Sequence, residues 1–365
     1  NIPVRFGVRV LGSTLAVLRL LRGEGAAFTG RRLCSSGPPF RLLFFGSDHF
    51  AVESLKILEA DRSGRGGVVS SLEVVTLSDD VPVADFARRC HLPLQRWPPG
   101  NLSGRFDAGV VVSFGCLLRR RLIEEFPRGI LNVHPSLLPR WRGPAPIFHT
   151  ILNGDAVTGV TIMQIRPHKF DTGPILSQTL HRVPETNTSE QLADALAVKG
   201  ARLLLDTLQT LPQKMADMRE QSQNGATFAP KISSSICWLS WEEQTCRQID
   251  RLYRAVGSRF PLRTTWMGHT IKLGDFAGSC QVSWTPPPPS PGSVIFRKES
   301  DALAVRCKDG WVSFKTVVLK KRLTAADFYN GYLHRTAGPH GDAVFVSPPG
   351  GGPESRANKS TTHCS

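Results

Sequence analysis

The chain has 365 residues, enough for two domains with a core in each. Its 41% hydrophobic and 21% charged content excludes a chain disordered throughout, and no stretch reaches the ~20 apolar residues of a membrane-spanning helix. Lys and Arg number 45 against 30 Asp and Glu, a net charge of +15, which points to a polyanionic partner such as nucleic acid.

Part of that charge belongs to the leader. Residues 1–40 carry Arg5, Arg9, Arg19, Arg22, Arg31 and Arg32 against Glu24 alone, so removing them leaves a net charge of +10. With Leu11, Leu15, Leu18 and Leu21 at helical spacing, the Arg-rich, acid-poor segment 1–36 reads as a mitochondrial presequence with a processing region at 31–36. A secretory signal fits less well, because Arg9 and Arg19 interrupt its apolar run.

The run 41–46 reads as a buried strand ending in Gly, followed by a helix over 50–60. A second strand over 72–77 and a helix near 85–90 come next. The continuous apolar run 108–112 is of the parallel-sheet kind; a helix over 119–126 and a strand over 130–133 follow. Strands alternating with helices predict a doubly wound α/β sheet. Ligands in such sheets bind beyond the carboxyl ends of the strands, where Gly115, Asn132 and His134 fall. The first turn, 46–50, lacks G-x-G-x-x-G, which argues against a dinucleotide. Thr188 with Gln191 reads as a capping box opening a long helix with Leu192, Leu196, Leu204 and Leu208 on its apolar side. The polar stretch 213–231 reads as a linker. A second capping box is expected at Ser240 and Glu243. Short runs at 270–273, 281–284, 294–297, 302–306 and 310–318 suggest a small antiparallel barrel. The Gly/Pro/Ser-rich tail 334–365 is expected to be disordered.

The most specific segment is Asn132-Val133-His134-Pro135-Ser136-Leu137-Leu138-Pro139, running on into Arg140-Trp141-Arg142-Gly143. In a strand, residues i and i+2 share a face, so Asn132 and His134 project together, and an amide N–H beside an imidazole can hold an oxyanion. Pro135 and Pro139 then turn the chain into a fixed wall. The segment resembles the signature of the formyltransferases that use 10-formyltetrahydrofolate, and Asp171-Thr172-Gly173 resembles their downstream aspartate motif. The resemblance covers roughly 41–332. It implies catalysis by Asn132, His134 and Asp171 and binding of the formyl donor along Phe114, Gly115, Leu117, Ser136, Leu137, Leu138 and Pro139.

The segment 226–232 resembles the interdomain bridge of the family's tRNA-specific members. Their second domain is an OB-like barrel, and 323–332 resembles its closing helix. With the presequence read from the leader at 1–36, the resemblance implies a Rossmann-like catalytic domain at 41–212, a linker at 213–231 and an OB-like domain at 232–333. It implies initiator methionyl-tRNA as formyl acceptor. Arg140 and Arg142 beside the signature, and Lys315, Lys320, Lys321 and Arg322 clustered near the end of the expected barrel, are the candidate tRNA contacts. With the leader, the chain is expected to act as a monomer in the mitochondrial matrix. Two departures stand out: 77–82 is short and acidic where bacterial members insert a basic loop, and Pro174 follows Asp171-Thr172-Gly173 where many relatives have Asp. A small-amine formyltransferase, a 10-formyltetrahydrofolate hydrolase and a non-catalytic RNA or folate binder are the competing readings. The eight cysteines show no Cys-x-x-Cys and no zinc spacing, so no metal is expected.

Overall fold

The computed structural model describes residues 37–167, 169–284, 287–334 and 343–348. The expected presequence 1–36 lies outside the described residues, and the described ones fall within one compact unit.

The first sheet is built as its apolar runs require. Strands β1 (Phe40–Gly46), β2 (Val69–Thr76), β3 (Leu94–Arg96), β4 (Ala108–Val112) and β5 (Ile130–His134) are parallel, while β6 (Val157–Gln164) and β7 (Ile175–Arg182) add antiparallel to β5. Their order, β3-β2-β1-β4-β5-β6-β7, reverses direction between β1 and β4. Helices α1 (His49–Ser63), α2 (Pro82–Arg89), α3 (Arg120–Ile123) and α4 (Pro146–Asn153) follow β1, β2, β4 and β5. The all-buried β4 is covered on both faces, as parallel strands must be. On one face lies an aromatic layer in which Phe45 meets Phe114, Trp97 and Phe126 edge to face. On the other lie α1 and the long α5 (Ser189–Gln209), whose Leu192, Leu196, Leu204 and Leu208 are buried. The capping box at Thr188 is present: its hydroxyl accepts from Gln191 N, and Gln191 Oε1 accepts from Thr188 N at 3.0 Å. Sequence periodicity misses β3, which has three residues, and β7, which is an edge strand with polar positions.

After α6 (Leu211–Ala216) the segment 217–231 is not a free tether. Arg219 pairs with Ile175 of β7, and Phe228 bridges Arg142. Helix α7 (Cys246–Val256) begins later than expected. Thr245 and Gln248 make its capping box, whereas Ser240 N donates to Gln244 Oε1 at 2.9 Å inside a separate turn. Buried Trp241, its Nε1 donating to Thr264 Oγ1 at 2.9 Å, fixes that turn and keeps Ser240 out of the helix.

The second sheet comprises β8 (Leu262–Trp266), β9 (His269–Cys280), β10 (Val294–Arg297), β11 (Ala302–Arg306) and β12 (Trp311–Val318), in the order β10-β11-β12-β9-β8, with β13 (Arg322–Thr324) paired to β12. No strand forms at 281–284. Helix α8 (Ala325–Phe328) and a π turn at Tyr329–Leu333 follow. The described part of the tail departs from expectation. Segment 343–348 is seated between the two ends of the sheet: Val294 N donates to Ala343 O, Phe345 N to Gly292 O, and Thr265 and Val346 exchange N–H···O bonds of 3.1 and 2.7 Å. Phe345 is fully buried against Trp241 and Phe328. Composition alone marked this segment as unstructured, but its four apolar residues, Ala343 to Val346, and the backbone groups it satisfies on both strands outweigh that bias.

Helix α4 packs on α7, so one apolar cluster runs from the first sheet into the second. At this seam Gly154 caps α4 at φ +71°, and the Arg251 guanidinium lies so close that a Cβ would fall 1.9 Å from its Cζ. No helix among the described residues is long and apolar enough to cross a membrane.

Candidate active site

The site forms where β5 ends. Strand pairing holds Asn132 opposite Met163 and His134 opposite Thr161 of β6, and period two sends both side chains to one face. They meet Asp171 there. Asn132 Nδ2 lies 3.4 Å from Asp171 Oδ1, and His134 Nδ1 lies 3.7 Å from the same oxygen. The other carboxylate oxygen accepts the Gly143 N–H at 2.8 Å. His134 Nε2 is 3.0 Å from the Trp141 carbonyl. A carbonyl can only accept, so Nε2 carries a proton and donates. Nδ1 is thereby left facing Asp171. The His134 side chain is only 5% exposed and that of Asp171 14%, so the pair works in a largely dry setting where electrostatic contacts strengthen.

Backbone strain gathers around this cluster. Ser113 (φ +46°), Trp141 (φ +62°) and Asp171 (φ +51°) all occupy the left-handed region, which is costly for a residue as bulky as Trp. The contacts that impose it are visible at two of them. Trp141 N donates to Thr227 Oγ1 at 2.9 Å and its Nε1 to Asp155 at 2.7 Å. Gln221 Nε2 donates to Asp171 O at 2.9 Å and to Gly173 O at 2.8 Å. Gly143, at φ +119°, passes so close to the linker that a Cβ would lie 2.7 Å from Ala229 O.

The wall 135–139 is held from behind. Ser136 Oγ donates to Arg140 O at 2.7 Å, Thr161 Oγ1 donates to Ser136 O at 2.7 Å, and Gln178 Nε2 donates to Leu138 O at 2.9 Å. Ser136 and Leu138 are buried and Leu137 packs over Gly159, so these residues shape the wall rather than present polar atoms to a ligand. Phe114 is likewise a core ring, edge to face with Trp97 and Phe45. Gly115 at φ +77° and Leu117, 48% exposed, keep access to solvent, and Pro139 is half-buried.

Of the expected tRNA contacts, Arg142 requires correction. It is 4% exposed and donates to Gln221, Gln223 and the Ser222 carbonyl. It clamps the linker and offers nothing to solvent. Arg140 makes a two-pronged contact with Asp155 (2.8 and 2.6 Å) while stacking 4.4 Å over Trp141. Burial alone would raise the Asp155 carboxyl, but hydrogen bonds from Arg140, Asn153 and Trp141 outweigh it and hold Asp155 below the usual carboxylate range. Lys315, Lys320, Lys321 and Arg322 are exposed along β12 and β13, with Arg322 paired to Asp275 at 2.6 Å. In the short acidic loop, Asp79 faces Arg88 and Arg96 at 3.6 and 3.8 Å.

Sequence reasoning missed Gln221, Gly143, Thr161 and Gln178, which position the site. It also passed over one cluster that only folding assembles: Cys246 Sγ and Cys307 Sγ lie 3.3 Å apart beside Asp309, the one group among the described residues able to hold a metal. It belongs to α7 and the β11–β12 turn, which contribute nothing to the Asn132 cluster.

A family model described as formyl transferase matches residues 103–208, and one described as formyl transferase, C-terminal domain, matches 231–333. The mitochondrial methionyl-tRNA formyltransferase of Homo sapiens is 51% identical over 307 residues, covering 81% of this chain and 79% of that protein. The bacterial methionyl-tRNA formyltransferase of Roseiflexus castenholzii is 35% identical, covering 80% and 96%. Among solved structures, the sugar N-formyltransferase WlaRD superposes with a TM-score of 0.55 at 17% identity, covering 76% of this chain and 97% of its own. HypX from Aquifex aeolicus, in complex with tetrahydrofolic acid, gives 0.53 at 16% identity, covering 81% and 48%; both likenesses concern the fold. With both halves matched in order and relatives this close along most of the length, the chain belongs to the methionyl-tRNA formyltransferase family.

Proposed function

We propose that this chain transfers the formyl group of 10-formyltetrahydrofolate to the amino group of initiator methionyl-tRNA, working as a monomer in the mitochondrial matrix. One observation carries the reading: Asn132, His134 and Asp171 converge at a strand end with no serine or cysteine nucleophile among them. Such a site suits a reaction whose substrate brings its own nucleophile. The methionyl nitrogen attacks the formyl carbon, and the carbonyl oxygen becomes an oxyanion. Asn132 has two N–H donors; with one toward Asp171, the other meets that oxygen. His134 and Asp171 take the proton released by the new N–C bond and deliver one to N10 as its bond to the formyl carbon breaks. The products are N-formylmethionyl-tRNA and tetrahydrofolate, and the protein returns to its starting protonation.

On this reading Gly115, Leu117, Leu137 and Pro139 face the donor, while Phe114, Ser136 and Leu138 stiffen its wall. Lys315, Lys320, Lys321 and Arg322 meet the tRNA phosphates, leaving Arg142 to hold the linker. The test is release of tetrahydrofolate from 10-formyltetrahydrofolate with charged initiator tRNA, with glycinamide ribonucleotide, and with no acceptor. Turnover only with the tRNA supports the reading. Equal turnover without any acceptor would indicate a hydrolase.

A further inference from the structure

Two phenylalanines stand in solvent beside the site. Phe170 is 64% exposed and Phe228 70% exposed. Each is one residue from a group that fixes Gly143: Phe170 precedes Asp171, whose carboxylate accepts the Gly143 N–H, and Phe228 precedes Ala229, whose carbonyl Gly143 abuts. A lone exposed apolar side chain is commonplace. Two exposed rings, each next in the chain to a residue that fixes Gly143 and coming from two distant segments, are another matter, because the backbone beside each is held. Thr227 O accepts the Arg142 backbone N–H at 2.9 Å and Ala229 N donates to the Arg142 carbonyl at 2.7 Å, and Asp171 is pinned through carboxylate and carbonyl. The rings are presented on rigid mounts, which reduces the entropy lost when a flat partner lies against them.

We propose that Phe170 and Phe228 form a stacking subsite for the unpaired 3′-terminal bases of the aminoacyl-tRNA. This rests on the formyl-transfer reading above and deepens it. The reacting amine must sit at the Asn132, His134 and Asp171 cluster, and the aminoacyl ester joins it to the terminal ribose by only a few bonds. The last base therefore has to lie at the rim of the cluster, where these rings are. Stacking suits an unpaired end because every base offers a π face, and the net charge of +10 that remains without residues 1–40 favours a nucleic acid over an apolar protein partner.

The experiment compares the full-length protein with Phe170→Ala, Phe228→Ala, Phe228→Trp and Phe228→Leu. Two acceptors are used: methionyl-tRNA and the same charged tRNA lacking its 3′-terminal base. With the complete tRNA, each alanine variant should raise KM about 5- to 150-fold, the range for losing one base–aromatic stack, with a smaller effect on kcat. Phe228→Trp should stay near the unsubstituted protein and Phe228→Leu should fall with the alanine variant. With the base-less tRNA the unsubstituted protein should already be weak and at least one alanine variant no weaker. The idea is overturned if both acceptors lose equally in both alanine variants, if leucine serves as well as tryptophan, or if tetrahydrofolate affinity falls instead. Should Phe170→Ala disturb its neighbour Asp171, Phe228 still decides. If the unsubstituted protein fails to formylate methionyl-tRNA at all, the function reading fails rather than this one.

Discussion

Asp171 concentrates the chemistry of the site into one side chain: it receives the Gly143 N–H, lies against Asn132 and faces His134 Nδ1. On the proposed reading Asn132 supplies one oxyanion donor, so Asn132→Ala should lower turnover by roughly 10²–10³-fold with little change in folate affinity. Near-normal turnover would remove Asn132 from the mechanism. His134→Ala and Asp171→Ala should be at least as damaging. Gly143→Ala makes a sharper test of positioning, because its Cβ would strike Ala229 O at 2.7 Å and its φ of +119° is closed to alanine. Turnover should drop although no reacting group has been removed, and unchanged kinetics would mean the linker contact does not set the site. At this scale the sequence was informative where chemistry is local. Asn132 and His134 could be paired by the strand period, and Asp171 by its Asp-Thr-Gly segment. Gln221 could not be foreseen, since its partner Asp171 is 50 residues away and a glutamine in a polar stretch carries no local mark.

Among the elements, the cations that the sequence had pooled part company: Arg142 is buried against the linker, while those of β12–β13 are exposed. Lys320 and Lys321 are exposed, and each phosphate contact contributes roughly 0.7–0.9 to the salt slope of nucleic-acid binding. Changing both to Ala should flatten that slope for tRNA by about one to two and leave folate binding alone; an unchanged slope would assign the phosphates elsewhere. Arg142→Ala should instead lower the thermal midpoint, because it strips the linker of its clamp. The acid response follows from Asp107 and Asp155. Burial raises each carboxyl, but hydrogen bonds from Arg41 and from Arg140 respectively prevail and depress both. A depressed carboxylate stabilises the fold above its ordinary pKa, and that stability is lost as pH falls through the lowered value. Asp107→Asn should therefore cost most near neutrality, and the gap in thermal midpoint should close below about pH 4. A gap that widened in acid would contradict this pairing. Strands with continuous apolar runs, β1 and β4 above all, were readable; β7 and β8 were not, because their polar positions belong to edges and to neighbours supplied by distant segments.

For the whole molecule, the two sheets share a core across α4 and α7, so damage in the second sheet should be felt in the first. Phe345→Ala empties a fully buried site between Trp241 and Phe328 and should cost about 3–5 kcal/mol of unfolding free energy, measured by denaturant titration. A cost below about 1 kcal/mol would mean the segment is a passive passenger. The leader, outside the described residues, has its own test: protein lacking residues 1–36 should not enter isolated mitochondria while retaining activity in solution. Uptake at the normal level would remove the presequence reading. The seating of 343–348 was invisible in the sequence because it depends on the two strand edges it meets, and those edges exist only once the barrel has rolled up.

That seating carries a consequence for how the protein behaves in company. Without 343–348, the N–H and C=O of Thr265 on β8, and the Val294 N–H and Gly292 C=O at the start of β10, would lose their partners, and unpaired edge groups are where a second chain can add its own strand. By covering them the short segment should protect the chain from self-association. A chain ended at Leu333, where the C-terminal family match stops, should form concentration-dependent dimers or larger aggregates. A synthetic peptide spanning 343–348, added in excess, should compete with that growth.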